Sequence, residues 1–455
     1  MNITVIGSGY VGVVSAACFC EFGFNVCIVD TDKQRLEMIK NGDIVFNELG
    51  LNQMLQKHET NECLSFTDDL RTAIGLSDVV VITVSTTKAN EPVSDLSNLH
   101  QVTQQVALAL NKDHYTAVII KTSVPVGTCT IIADNFGFTR PDLVPGEQYD
   151  IVANPGFLRE GAAIYDFMTP SRVLIGFNSH SAKAKGVIEM LYSSIIALKI
   201  PFIYSNFETV ELIRLASIGF IVTKMAFINE IADLCSRTGA DISALLRGIA
   251  LDQKIGNKAL EVSPGFGGVS YPKAARVLLK TANSLGIDLK IVSGAIESNC
   301  ERIAKIKDKI ISLICDEPTN ISFKQIAILG LSFKPLTDDI RESASIFVIN
   351  DLLESKAKVN LYDPLFKPQS KTIQKIPENI LKNENFLITE SIYEAVNQSD
   401  IAVIMTHWPE FRASNLKKIQ ELMNKKKNAK PIILDYRNMF TKSEMAGFEY
   451  IFQGH

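Results

Sequence analysis

Between Met1 and Phe207 the chain alternates short β-branched runs with stretches of helical apolar spacing. The strand candidates are NITVIG, NVCIVD, DVVVITV, TAVIIK, YDIVANP and RVLIGF. Such alternation leaves few architectures, because parallel neighbours need a crossover and the crossover is usually a helix. The expectation is a parallel, doubly wound α/β sheet with helices on both faces. At Glu208 the pattern changes. ETVELIRLASIGFIVTKMAFINEIADLCSRTGA runs to Gly239 and beyond without proline and is apolar on more than one face. That predicts a buried spine helix opening an all-α middle domain that extends to about Cys315. A second α/β block starts at QIAILGLSF and continues through KVNLYDP, DIAVIMT and KPIILDYRN. The expected domains are 1–207, 208–315 and 316–455, with DEPTN at Asp316–Asn320 as the linker.

A chain of 455 residues with 46% hydrophobic and 21% charged residues suits a globular protein of two or three domains. Its net charge of −4, without a basic run, lacks the electrostatic footprint of a nucleic-acid binder. No apolar segment approaches the roughly 18 residues of a membrane span, and the apolar N-terminus reads as a strand rather than a signal peptide. The eight cysteines are scattered without a CxxC or Cys/His cluster. They are expected to be buried thiols in a reducing compartment, with no metal site, which places the protein in the cytoplasm.

ITVIGSGYVGVVSAACF sets Gly7, Gly9 and Gly12 in a G-x-G-x-x-G directly after a strand and at the start of an apolar helix, with Tyr10 and Val11 inside it. Glycines there permit a tight turn and close backbone approach, and the helix N-terminus offers N–H groups to a pyrophosphate. Asp30 ends the next strand, where an acid takes a ribose 2′-hydroxyl and repels a 2′-phosphate. NAD is therefore expected over NADP. The C-terminal block opens ILGLSFKP without this fingerprint and is expected to bind something else. GFGGVSYPKA, residues 265–274, has three glycines in four residues and looks able to hold a ligand against bare backbone. Ser270 within it is either a nucleophile or a loop serine.

Several stretches occur in one order: IGSGYVG, KTSVPVGT, NPGFLREGAAIYDFMTPSRVLIG, KMAFINEIADLC, LDQKIGNKALEVSPGFGGVSYPK, LSFKPLTDDIRES and LDYRN. Together they resemble the UDP-glucose 6-dehydrogenase family, within the UDP-glucose/GDP-mannose dehydrogenase superfamily, over essentially the whole chain. The resemblance implies an N-terminal Rossmann-type NAD domain, a helical core that forms a homodimer, and a C-terminal Rossmann-like nucleotide-sugar domain. It implies oxidation of a sugar C6 alcohol to a uronic acid with two NAD. Matching positions imply cofactor contacts from Gly7, Gly9, Tyr10, Val11, Gly12, Asp30, Arg35, Thr86, Ser123, Glu160 and Arg341. For the nucleotide sugar they imply Phe157, Leu158, Arg159, Glu160, Arg214, Lys254, Phe266, Gly267, Gly268, Phe333, Lys334 and Arg437. Lys254 replaces an arginine that reaches the partner subunit's ligand, and Glu261 stands where some members carry a lysine. His407, in HWPEFR, is read as structural.

The resemblance breaks at the reaction centre. The family's G-G-S-C-F-P-K-D places Ser270 at the nucleophilic cysteine and Ala274 at the aspartate. N-P-E-F-L-R-E-G becomes NPGFLREG, so a proton-handling glutamate is Gly156, while Glu160 survives. I-K-Y-A-A-N becomes IRLASI, which puts Arg214 at the lysine that stabilises an alkoxide and Ile218 at the water-binding asparagine. Ser123 replaces a threonine. A hydroxyl needs an adjacent base where a thiol does not, and the favoured reading makes Ser270 a loop serine. The expected function is NAD-dependent oxidation of a nucleotide sugar, a UDP-hexose at C6, by one two-electron step or a transient oxidation rather than the four-electron route. Glu160 through water, Lys224 or Lys273 accepts the proton. A silent NAD and nucleotide-sugar binder and a rebuilt uronate-forming site are the alternatives.

Overall fold

The computed structural model describes residues 1–44, 46–86, 95–177, 182–315, 317, 321–322, 324–424 and 430–454. The chain divides into two compact units, Met1–Ser217 with Arg276–Leu285, and Ile218–Ala275 with Gly286–His455. Apart from Glu317, the expected linker at Asp316–Asn320 lies outside the described residues.

In the first unit eight described strands form one sheet: β1 (Asn2–Ile6), β2 (Asn25–Val29), β3 (Leu64–Thr67), β4 (Val79–Ile82), β5 (Thr116–Ile120), β6 (Tyr149–Ala153), β7 (Val173–Phe177) and β8 (Phe202–Ser205). Their order is β3-β2-β1-β4-β5-β6-β7-β8. VVVI and TAVII in β4 and β5 are buried at every residue, as strands covered on both faces must be. Apolar clusters cover the two faces, one around Val5, Phe19 and Ile28, the other around Val80, Ile132 and Phe136. The sheet departs from the parallel expectation at one pair, since β6 and β7 run antiparallel, with Ala153 opposite Gly176. The segment between them, residues 154–172, is a loop and one short helix, Ala163–Met168, so the chain returns beside β6 reversed. A Cβ at Gly176 would stand 3.1 Å from that of Ala153, so the residue must be small.

In the second unit six described strands form a parallel sheet: β9 (Gln325–Leu329), β10 (Lys358–Tyr362), β11 (Phe386–Ile388), β12 (Ile401–Ile404), β13 (Ile432–Asp435) and β14 (Glu449–Phe452), in the order β11-β10-β9-β12-β13-β14. Ile326, Ile328, Val359, Leu361 and Val403 face one apolar cluster, and Ala327, Ala402, Ile404 and Ile433 the other. The spine helix is present as Phe207–Thr238, 32 residues long. Ile228, Ala232 and Cys235 pack on Ile242, Leu260 and Val262. Its burial is incomplete: Phe220, Phe227 and Leu234 are 71%, 54% and 56% exposed. Among the described residues no helix is long and apolar enough to cross a membrane. The cysteines carry no disulfide, and Cys300 is exposed, which corrects the expectation that all are buried.

Candidate active site

In the first unit the glycine loop joins β1 to helix α1 (Tyr10–Glu21). Gly7 has φ +104°, a conformation that disfavours any side chain. A Cβ at Gly12 would lie 1.9 Å from the Gly7 carbonyl oxygen and 2.6 Å from Thr83 Oγ1, so α1 lies directly on the turn. Nothing stands within 4 Å of a Cβ at Gly9, whose backbone borders open space at the helix N-terminus. Here the bare backbone read from the sequence is real, and it fits a cofactor pyrophosphate. The Asp30 carboxylate accepts from Ser8 N (2.7 Å), Ser8 Oγ (2.6 Å) and Asp32 N (3.0 Å). Burial would raise its pKa, but those hydrogen bonds outweigh burial and hold it below the ordinary carboxylate range. A charged acid therefore waits beyond β2. Arg35 lies in helix α2 (Lys33–Lys40), 3.6 Å from Asp32, and Thr86 is buried. Sequence reasoning passed over Ser8 and Thr83, whose hydroxyls orient Asp30 and take up the carbonyls of Ile6 and Gly7.

The loop after β6 carries the candidates from 156 to 160. Its Phe157 ring is approached by two guanidinium groups, Arg172 at 4.2 Å and Arg214 at 4.9 Å from the centroid. Arg214 is 8% exposed. The Tyr10 hydroxyl donates to Glu48 Oε2 (2.6 Å) and lies 3.1 Å from the Arg159 carbonyl oxygen. Glu48 Oε1 accepts from Ala163 N (2.9 Å), so one carboxylate ties α1, the 48 region and the start of the next helix. Burial first, then Glu48 and the Glu160 charge, push the Tyr10 phenol far up, which places Glu160 in this neighbourhood. Arg159 forks onto Asp166, while Leu158 and Ser123 are half-buried.

The second unit supplies the other candidates. Gly267 and Gly268 do not leave backbone bare for a ligand, which corrects that expectation for 265–268. A Cβ at Gly267 would lie 2.3 Å from the Glu342 carbonyl oxygen, and one at Gly268 (φ +77°) would lie 2.8–3.0 Å from the Phe333 ring. The glycines are needed because the Phe333–Glu342 segment packs against them, and Gly268 N donates to the Arg341 carbonyl (2.9 Å). Asn299 fixes buried Phe266 from both sides, accepting from its N–H (2.7 Å) and donating to its carbonyl (3.1 Å). Arg341 forks onto Asp339.

Lys334 lies 5.7 Å over the Phe333 ring, and Arg437 donates to the carbonyls of Met405 (2.8 Å) and Phe333 (3.0 Å). Burial lowers Arg437 to about 10, against the pull of Glu261 and Asp435. Burial, then Arg437, lowers His407, with Lys334 adding to the effect and Glu261 opposing it. Lys334, His407 and Arg437 therefore share one field, with Glu261 as the acid in it. His407 belongs to this group, beyond the structural role read from the sequence. Lys254 is exposed, and the Lys224 ammonium is spent on the carbonyls of Ile255 (2.8 Å) and Gly256 (3.4 Å). Ser270 is exposed at the first residue of the helix Ser270–Ser284. Lys273, one turn on, is half-buried, and burial lowers it to about 8. Ala274 and Ile218 are buried apolar residues, 8% and 2% exposed.

Three family models match the chain, all of the UDP-glucose/GDP-mannose dehydrogenase family: the NAD binding domain over residues 1–196, the central domain over 208–301 and the UDP binding domain over 327–442. A UDP-glucose 6-dehydrogenase of Rhizobium meliloti is 36% identical over 99% of this chain and 98% of its own length. UDP-glucose 6-dehydrogenase TuaD of Bacillus subtilis is 35% identical over 99% of this chain and 92% of its own. The structure of a UDP-glucose dehydrogenase from the archaeon Pyrobaculum islandicum superposes with a TM-score of 0.83 at 26% identity, covering 99% of this chain and 96% of that one.

Proposed function

The chain belongs to the UDP-glucose/GDP-mannose dehydrogenase family, and from that membership we propose that it oxidises a UDP-hexose at C6 with NAD in one two-electron step ending at the aldehyde. The observation that carries this reading is the apolar character of the positions that the family resemblance assigns to the reaction centre, while the positions it assigns to binding stay furnished. Ile218 and Ala274 are buried hydrocarbon and Gly156 has no side chain, while the glycine loop, Asp30, Lys334 and Arg437 remain. A second oxidation needs a covalent adduct at position 270 and an activated water. The first needs alignment, a hydride acceptor and a proton acceptor.

Bound NAD supplies the hydride acceptor. The α1 N-terminus would hold its pyrophosphate and Asp30 its ribose hydroxyl, and Arg35 and Arg341 would add the cofactor contacts that the family positions imply. Lys334, His407 and Arg437 would face the substrate diphosphate, and Arg214 would steady the alkoxide as the C–H bond at C6 breaks. The hydroxyl proton goes to the Lys273 amine. A lysine of pKa about 8 is present as free amine in about one molecule in ten at pH 7. Lys224 serves instead to hold the 255–256 turn. Ser270 contacts ligand or backbone and forms no ester.

The three-part division at 207/208 and 315/316 and a cytoplasmic homodimer complete the proposal. Phe220, Phe227 and Leu234 recur every seven residues on the spine helix, an apolar stripe that suits a second copy of the helix. The decisive experiment supplies UDP-glucose and NAD and counts NADH per sugar consumed. One NADH and an aldehyde are expected. Two NADH and the uronic acid would overturn the single-step reading. Intact binding without NADH would replace it with a silent binding protein.

A further inference from the structure

The first unit contains a cavity of about 370 Å³, within the size range of small-molecule sites, whose two cations, Lys121 and Arg172, have no part in the proposed reaction. Phe157, Leu158, Phe167 and Tyr192 give it largely apolar walls, and Lys121 and Arg172 give it two cations. Lys121 follows β5 and is 5% exposed. Two of its three N–H groups go to neutral acceptors, Asn154 Oδ1 (3.1 Å) and the Tyr192 hydroxyl (3.2 Å). Arg172 donates to the Ser171 and Ser217 hydroxyls and stacks on Phe157. Among the described residues neither cation has a carboxylate within ion-pair distance. The acid on the wall, Asp166, is taken by Arg159 at 2.7 Å. A buried cation such as Lys121 is costly unless paired, and among the described residues no carboxylate pairs with it.

We propose that this cavity binds a small carboxylate with an apolar body, its carboxylate held by Lys121 with Arg172 as the second cation. The third Lys121 N–H is the donor left for it, and the aromatic walls take the hydrocarbon. Gly156 also lines the cavity, and a Cβ there meets only Leu158 Cγ, at 3.6 Å. A glutamate at 156 would therefore place a carboxylate on the wall of the cavity that Lys121 also lines. The cavity shares Gly156 and the 157–159 segment with the positions that the family resemblance assigns to the reaction and the nucleotide sugar.

Binding also depends on pH. Burial lowers Lys121 to about 8, with Cys18 of α1 a smaller influence that opposes the shift. Burial pushes Cys18 up to about 12 and the Tyr192 phenol higher still. The Arg159–Asp166 ion pair, Arg172 and the Tyr165 phenol are the other ionisable groups on the cavity wall. Lys121 loses its charge between pH 7 and 9, so anion affinity falls about tenfold as it deprotonates.

The test is calorimetric titration of the full chain with benzoate, for wild type, Lys121→Met and Gly156→Glu, with denaturation curves confirming that each is folded. Lys121→Met removes a buried charge and is expected to fold. Saturable one-site binding in the wild type is expected. It should be about tenfold weaker at pH 9 than at pH 7 and at least tenfold weaker in each variant at pH 7. No saturable binding in the wild type, or binding that persists unchanged in either folded variant, would overturn the assignment.

Discussion

Gly9 and Gly12 stand three residues apart in one loop, yet alanine should act on different properties at the two positions. Gly9 has φ −75° and ψ −178°, an extended conformation open to any residue, and a Cβ there meets nothing within 4 Å. Gly9→Ala should therefore change folding stability by less than about 1 kcal/mol. The methyl slightly weakens an N-cap and slightly restricts the unfolded chain, and these effects oppose each other. The same methyl occupies the space where a pyrophosphate would approach the α1 N–H groups. Charge-assisted hydrogen bonds contribute about 1.5–3 kcal/mol each, so loss of one should weaken NAD binding roughly ten- to hundredfold. Gly12→Ala works the other way. Its Cβ, 1.9 Å from the Gly7 oxygen, falls about 1.6 Å short of the ~3.5 Å at which such atoms rest, with Thr83 Oγ1 blocking a second direction. The helix must lift off the sheet, at about 3 kcal/mol or more. Urea denaturation and calorimetric NAD titration on both variants separate the two effects. A Gly9→Ala protein that binds NAD as tightly as wild type would refute the cofactor placement. A Gly12→Ala protein of unchanged stability would refute the packing argument.

Asp30→Ala should weaken NAD binding and narrow the preference over NADP, and tighter NADP than NAD binding by the wild type would contradict the role given to this carboxylate. Ser270→Cys should not restore uronic acid formation, because Gly156, Ile218 and Ala274 offer no group to activate water. Product analysis showing acid with two NADH per sugar would overturn that account. The pre-steady-state rate of NADH formation should rise with pH up to about 8 and then level, since the Lys273 amine must be unprotonated, and Lys273→Met should lower the rate and flatten the profile. A Lys273→Met rate that keeps the wild-type pH dependence would exclude this base. Phe227→Glu should shift the protein to monomer in sedimentation at micromolar concentration, and an unaltered sedimentation coefficient would remove the spine stripe from the interface.

Both glycine clusters were visible as glycine clusters, but the packing that demands glycine differs between them. At Gly7–Gly12 the strand, turn and helix that demand glycine are consecutive in sequence, so spacing alone carries the reason. At Gly265–Gly268 the demand comes from Phe333 and Glu342, about 70 residues later, and nothing local distinguishes their approach from that of a ligand. Asn299 escaped notice for the same cause: a lone polar residue in a helical pattern does not reveal that it grips Phe266. The strand runs with continuous β-branched residues were legible because burial on both faces leaves an uninterrupted apolar run. β11 and β14 lie at the edges of their sheet, and so do β3 and β8 in theirs, where mixed composition hides them. The reversal of β7 was also illegible, since a strand sequence has no direction until its connection is placed.

The bridge from Tyr10 through Glu48 to Ala163 also bears on how the protein is made. Glu48 cannot accept from the Ala163 N–H until that residue has left the ribosome, about 150 residues after Tyr10. At ~5–20 residues per second the helix after the glycine loop waits about 8–30 s for the partner that fixes its first turn. The central β1 must pair with β4, still later in the chain than β2, before its second edge is covered. During that interval the nascent N-terminus exposes an apolar helix and a strand edge. Slow synthesis through residues 25–165 should thus favour capture by chaperones, and a truncation ending before Ala163 should expose the same surface permanently.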